Sequence, residues 1–154
     1  MAKRVLFFVI LSLVVALQPS CRKGVPAPIT ILPPDQVYYS DESRLTEAAE
    51  MVVRNDAEWE RTWGEITGLA TDPPAQNFRN AMLLVVNGGR LNPGDRVQID
   101  RLEHRGQELV VLYRIIEDCG TLRSDVFPVQ VVRTERENRP VRFEVQRVRA
   151  PHCR

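Results

Sequence analysis

From Ala81 onward the chain is a succession of strand-length apolar runs broken by turn-forming residues, and this pattern constrains the fold more than any other feature. Ala81 to Val86 is continuously apolar and stops at Asn87, Gly88 and Gly89. Asn92, Pro93, Gly94 and Asp95 form the next turn signal, after which Val97 and Ile99 alternate with polar residues. His104 to Gln107, around Gly106, marks a turn into Leu109 to Ile116. That run is apolar on both faces apart from Arg114, so it is expected at the centre of a sheet. Phe127 to Val132 reads as a strand with Pro128 near its start, where a missing N–H is tolerated. Val141, Phe143 and Val145 alternate with Arg142, Glu144 and Gln146, which predicts a half-buried strand. Short strands joined by turns predict a mostly antiparallel β-sheet, built as a sandwich or a partly open barrel.

One segment keeps a helical period instead. Asn55 or Asp56 can cap it, Glu58 and Glu60 suit the positive end of a helix, and Gly68 can end it. Trp59, Trp63 and Ile66 then fall on one face, which predicts a core stripe rather than an aromatic ligand platform. The fold class is therefore α+β, with one packed amphipathic helix. Thr71 to Gln76, with Pro73 and Pro74, reads as a loop. Residues 37–53 stay ambiguous, because Leu45, Ala48, Ala49 and Val52 suit a helix while Met51, Val52 and Val53 suit a strand.

The N-terminus has the layout of an export signal. Lys3 and Arg4 precede Val5 to Leu17, in which only Ser12 is polar, and Gln18, Pro19 and Ser20 follow. A run this short spans roughly 20 Å as a helix, less than the ~30 Å hydrocarbon core, so residues 1–20 are expected to be a signal peptide rather than a permanent anchor. Cys21 sits where a bacterial lipoprotein signal places its lipidated cysteine, although Leu17 stands four residues before it instead of three. It is a candidate lipidation site; an ordinary secretory signal cleaved nearby is the alternative. Residues 21–40, with Pro26, Pro28, Pro33 and Pro34, read as a Pro-rich linker, leaving 41–154 as the β-rich domain.

Cysteine arithmetic follows from export. With Cys21 lipidated or lost, Cys119 and Cys153 remain as an even pair in an oxidising compartment, so a disulfide is expected. Closing a loop of about 35 residues would stabilise the domain by roughly 3–4 kcal/mol. Two rivals use the same residues. One is a zinc site of Cys119, His152 and Cys153, weakened because adjacent His and Cys rarely point to one ion. The other is a thiol nucleophile, which would need a base and an orienting group from a chain with two His.

Net charge is +1, which excludes a strongly basic nucleic-acid binder and a strongly acidic solvating chain. Of 21 basic residues, 19 are Arg, a bias read as genome composition. Residues 35–65 hold nine acids and three basic residues, whereas residues 133–154 hold seven Arg and three Glu. These segments are expected to pair within the domain or stay solvated, with a partner for the basic one as the alternative. No phosphate loop, H-E-x-x-H or G-x-S-x-G is present, and no cofactor is expected. Glu117 and Asp118 adjoin Cys119, but neighbouring residues on a strand point to opposite faces, which argues against a catalytic pair.

Taken in order, several stretches resemble the PrcB C-terminal domain: the acidic two-Trp helix, Asn77-Phe78-Arg79-Asn80, Met82 to Val86 closing on Gly88 and Arg90, a turn with Gly94, and Val97-x-Ile99. The second half, with Cys119, Pro128-Val129-x-Val131-Val132, Pro140-Val141-Arg142-Phe143 and Cys153, resembles that domain in the same order. The similarity covers about residues 45–153. PrcB is a non-catalytic subunit of a secreted, surface-associated bacterial protease complex. The resemblance implies no catalytic residues, an exported accessory or binding role, and a protein partner such as a secreted protease. Relatives usually carry Thr-Gly-Gly-Tyr at the turn where this chain has Asn92-Pro93-Gly94-Asp95, so only Gly94 carries over to this candidate interaction turn.

The expected function is thus an exported, non-catalytic binding or accessory module that supports the maturation or stability of an extracytoplasmic protease, with Cys21 as the candidate lipid anchor at the envelope. A secreted hydrolase with an unrecognised carboxylate site and a structural envelope lipoprotein are the alternatives. A pocket grouping Glu117 and Asp118 with another acid would favour the hydrolase; an exposed apolar patch beside Asn92 to Asp95 would favour binding.

Overall fold

Period-2 patterning resolves into two stacked sheets in the computed structural model, which describes residues 30–32, 34–68, 71–120 and 124–153. The expected signal peptide, Cys21 and the first part of the linker lie outside these residues. The strands are β1 (Thr30–Leu32), β2 (Asp35–Ser40), β3 (Ala48–Val53), β4 (Ala81–Gly88), β5 (Arg96–Arg105), β6 (Glu108–Glu117), β7 (Val129–Glu135) and β8 (Val141–Arg149). The helix α1 (Asp56–Thr67) lies between β3 and β4 in sequence. One sheet has the order β1-β5-β6-β8, the other β2-β7-β4-β3. Every pairing is antiparallel except β6 with β8, which is parallel. The architecture is an α+β sandwich and not a closed barrel, with the helix as a third layer.

The burial pattern explains why β4 is apolar throughout. Its Met82, Leu84 and Val86 face the other sheet, where they join Ile99, Leu109 and Val111 in the core between the sheets. Leu83 and Val85 face the opposite way, into a second core with Trp59, Trp63, Ile66 and Phe78 beneath α1. A strand buried on both faces has no polar position to alternate with. β6 is internal in its sheet, as its apolar run requires.

Helix α1 starts and stops where its capping residues dictate. Asn55 Oδ1 accepts the Glu58 N–H at 2.9 Å, which uses a free donor of the first turn, and Glu58 Oε2 accepts the N–H of Arg54, the residue before the cap, at 2.7 Å. Gly68 adopts a left-handed φ of 71° and its N–H donates to Gly64 O at 2.8 Å. Both tryptophans are buried, and their indole N–H groups donate to backbone carbonyls of the following loop, Trp59 to Pro74 at 2.9 Å and Trp63 to Thr71 at 2.7 Å. The loop is thereby laced to the helix.

Three expectations are corrected. The linker reading of residues 21–40 fails over its second half, because Thr30–Leu32 pairs with β5 and Asp35–Ser40 pairs with β7. The chain crosses from one sheet to the other between Leu32 and Asp35, and both segments are edge strands with too few buried residues to show an apolar period. The ambiguous residues 37–53 contain no helix: they hold most of β2, a bend and all of β3. The strand expected from Phe127 starts at Val129; Phe127 itself makes an isolated bridge to Glu42. The acidic and basic segments, finally, are joined by one side-chain ion pair among the described residues, Arg133 with Asp35.

Candidate functional site: a charged cleft at the disulfide end

Parallel pairing of β6 with β8 places the C-terminal ends of both strands side by side, with Glu117 opposite Arg149. Each chain then continues for a few residues past the sheet. The Ala150 N–H donates to Glu117 O at 2.8 Å, and a turn closed by Cys153 N–H to Ala150 O at 2.9 Å swings the terminal segment back towards residues 118–119. The two cysteines meet there as a Cys119–Cys153 disulfide, with Cα atoms 5.4 Å apart. The staple therefore clamps the ends of two strands that already run in step.

The turn at Asn92 to Asp95 packs against the same place. Its Asp95 N–H donates to Asn92 O at 3.0 Å, the Asn92 N–H donates to Asp95 Oδ2 at 3.0 Å, and Asp95 Oδ1 accepts the Asp118 N–H at 2.7 Å. Gly94 has φ of 91° and lies against the Asp118 carboxylate, where a Cβ would collide with it. Asp95 is buried, so this member of the proposed interaction turn is spent on holding the end of β6; Asn92 and Gly94 remain exposed.

Around this staple lies an open cleft of about 680 Å³. Its lining carries the guanidinium groups of Arg90, Arg147 and Arg149 and the carboxylates of Asp95, Glu117, Asp118 and Asp125. The cleft thus gathers Glu117 and Asp118 with two more acids, the grouping that a hydrolase would require. Each acid is already engaged, however. Arg147 Nη1 lies 3.2 Å from Glu117 Oε1, Arg90 Nε lies 3.5 Å from Asp125 Oδ2, and Asp95 is held by the turn. Hydrogen bonding from His152, at 2.5 Å, and then from the Cys119 N–H, at 2.8 Å, holds the Asp118 carboxyl below its usual pKa. A general acid at neutral pH needs the opposite shift. Arg149 makes no ion pair among the described residues.

The apolar patch looked for beside the turn is not there: among the described residues the large apolar side chains left exposed are Ile31 on β1 and Val145 on β8. What sequence reasoning missed is Asp118 as a companion of the cysteines. Donor atoms of Asp118, Cys119, His152 and Cys153 all lie within 4.8 Å of one another. Adjacent His and Cys rarely point to one ion, but His152 and Cys153 lie in the turn after Ala150, and both side chains face Asp118. Compared with family profiles, with curated proteins and with solved structures, the chain matches none.

Proposed function

We propose that this chain is an exported, non-catalytic binding or accessory module that engages a protein partner through the cleft at its disulfide end. The observation that supports this reading is the cleft itself, a disulfide-stapled rim that displays both signs of charge, in which Arg149 makes no ion pair among the described residues. Polar and charged rims of this kind set orientation and partner choice more than raw affinity. An extracytoplasmic protease is the partner class implied by the resemblance to the PrcB C-terminal domain, and the leader with Cys21 supplies the route out of the cell and a lipid anchor. The disulfide is compatible with an oxidising compartment.

Crosslinking and affinity capture of the tagged full-length chain from its native envelope tests this, with an Arg147→Glu/Arg149→Glu double variant alongside. A protease recovered with the unaltered chain and lost with the variant supports the reading. Equal recovery with both refutes the cleft as the contact, and recovery of no partner by either refutes the binding role. The gathering of four acids favours a hydrolase as the second reading; turnover of peptide or glycoside substrates that disappears in Glu117→Gln would establish it.

A further inference from the structure

Independently of any partner, we propose that Asp118, Cys119, His152 and Cys153 form a zinc site that opens when the Cys119–Cys153 disulfide is reduced, so that this end of the sandwich is held either by a covalent bond or by a metal ion. The donor set carries the argument. Two sulfurs, one imidazole and one carboxylate are the ligand types that Zn²⁺ takes in four-coordinate sites, at about 2.0–2.3 Å from the ion. Four donors around such an ion are separated from one another by no more than about twice those bond lengths. All four here lie within 4.8 Å of one another, so a shift of a few tenths of an ångström brings every pair inside that limit. The Asp118 Oδ1 atom is 2.5 Å from His152 Nε2 and 3.6 Å from Cys153 Sγ, so modest side-chain rotation separates these groups around a central ion without moving a strand.

The backbone is prepared for it. Cys119 and Asp118 follow β6, His152 and Cys153 follow β8, and the parallel register from Leu109↔Val141 to Glu117↔Arg149 sets these two ends beside each other. The Asp118 N–H is anchored to Asp95, and the turn at Ala150 to Cys153 is closed by its own hydrogen bond. Geometry that serves a disulfide thus also brings in an imidazole and a carboxylate that a disulfide does not need.

The chemistry balances as follows. A dithiol reductant gives two electrons and two protons to the S–S bond and is itself oxidised to a disulfide, leaving two thiols. Zn²⁺ then displaces one proton from each thiol, so binding near neutral pH releases up to two protons per ion. In reverse, the disulfide form of the same dithiol takes two electrons from the two thiolates and two protons from solvent, the Cys119–Cys153 bond re-forms, and Zn²⁺ leaves because the bonded sulfurs are no longer thiolate ligands. The site therefore reports the redox state of its surroundings through metal occupancy.

The test uses the full-length chain carrying Cys21→Ala, so that the third thiol does not contribute. The protein is reduced with a phosphine under inert gas, stripped with a chelator and titrated with Co²⁺, then Zn²⁺. We expect one Co²⁺ per chain, with thiolate-to-metal charge transfer and the intense ligand-field bands of a tetrahedral ion, both lost on adding Zn²⁺. The oxidised protein should bind none. His152→Ala and Asp118→Asn should each weaken binding at least about 10-fold, the loss already seen when a supporting group of a metal site is removed. If reduction unfolds the chain, Zn²⁺ should restore the β-sheet circular dichroism. The proposal is overturned if the reduced chain gives no tetrahedral cobalt spectrum, if His152→Ala and Asp118→Asn bind as tightly as the parent, or if a reduced, unfolded chain stays unfolded with Zn²⁺.

Discussion

Truncating Trp63 to Ala probes the layer that holds the helix on the sheet. Its side chain is 4% exposed, its ring meets Tyr38 edge-on at 4.8 Å between centroids and Trp59 at 5.2 Å, and its N–H donates to Thr71 O. Removing a buried indole costs about 3–5 kcal/mol through lost transfer energy and the cavity left behind. The two aromatic contacts, worth roughly 0.5–1.5 kcal/mol each, push the figure towards the upper half of that range. The broken hydrogen bond adds little, because Thr71 is exposed and its carbonyl can take water instead. With about 4 kcal/mol lost and roughly 3–6 °C of Tm per kcal/mol for a domain of this size, the melting midpoint should fall by about 12–24 °C. Trp63→Phe keeps a ring in the layer and should lose less than half as much. Thermal unfolding followed by circular dichroism gives the midpoints, and urea unfolding the free energies, of both variants. The parent's emission should be blue-shifted and poorly quenched by iodide. An unchanged midpoint in Trp63→Ala, with emission typical of solvated indole, would refute the assignment of this helix face to the core.

Replacing Cys119 with Ser opens the staple between the ends of β6 and β8, and in oxidising buffer the midpoint should drop by the equivalent of about 2–5 kcal/mol; labelling of both thiols in the folded, unreduced parent would contradict the bond. Gly94→Ala should destabilise by more than the usual loss for a left-handed glycine, because the new methyl meets the Asp118 carboxylate as well as an unfavourable φ; a Tm equal to that of the parent would show that the turn can move away. On acidification, hydrogen bonds from Arg101 and then Arg105 hold Glu103 below its usual pKa, and those from Arg142 do the same chiefly for Glu144. A lowered folded pKa gives stability that is present above the unfolded value and is lost as pH falls through the folded one. Urea midpoints should therefore stay level from pH 7 to about 5 and fall below roughly pH 4.5, less steeply in Glu103→Gln; identical profiles for that variant and the parent would contradict the assignment.

What could be read from the residues is what a single segment determines. Asn55 and Gly68 bracket a helix because capping is local, and β4 announces itself because burial on two faces leaves no polar position. The staple followed from counting cysteines. By contrast, β1 and β2 were hidden because an edge strand beside prolines buries too little to impose a period on its sequence. The parallel partnership of β6 and β8 was invisible for another reason: periodicity records which face of a strand is buried and says nothing of its neighbour. That unseen pairing built the cleft. Arg90, Asp125 and Arg147 come from three separate stretches with no motif between them, and His152 meets Asp118 only because the chain turns after Ala150.

The excess of Arg over Lys, read as composition, acquires a structural use on the sheet face that no helix covers among the described residues. There Glu103 is buried beside Val110 and receives hydrogen bonds from Arg101 at 2.6 Å and Arg105 at 2.7 Å. Arg105 reaches on to Glu144 at 3.1 Å, Arg142 bridges Glu144 and Glu108, and Arg114 meets Asp100 at 2.6 Å. Val110 is fully buried although its strand neighbours on either side are Glu103 and Arg142. Guanidinium forks can bond two carboxylates at once while their stems lie along apolar surface, which a single ammonium point charge does less well. A lattice of this kind covers the apolar centre of the sheet with the stems of its arginines. Exposed ion pairs are individually weak, so the lattice contributes little to stability pair by pair. A face whose charges are satisfied by one another has little to offer a charged partner, whereas in the cleft at the disulfide end Arg149 makes no ion pair among the described residues, which is why the proposed contact is placed there.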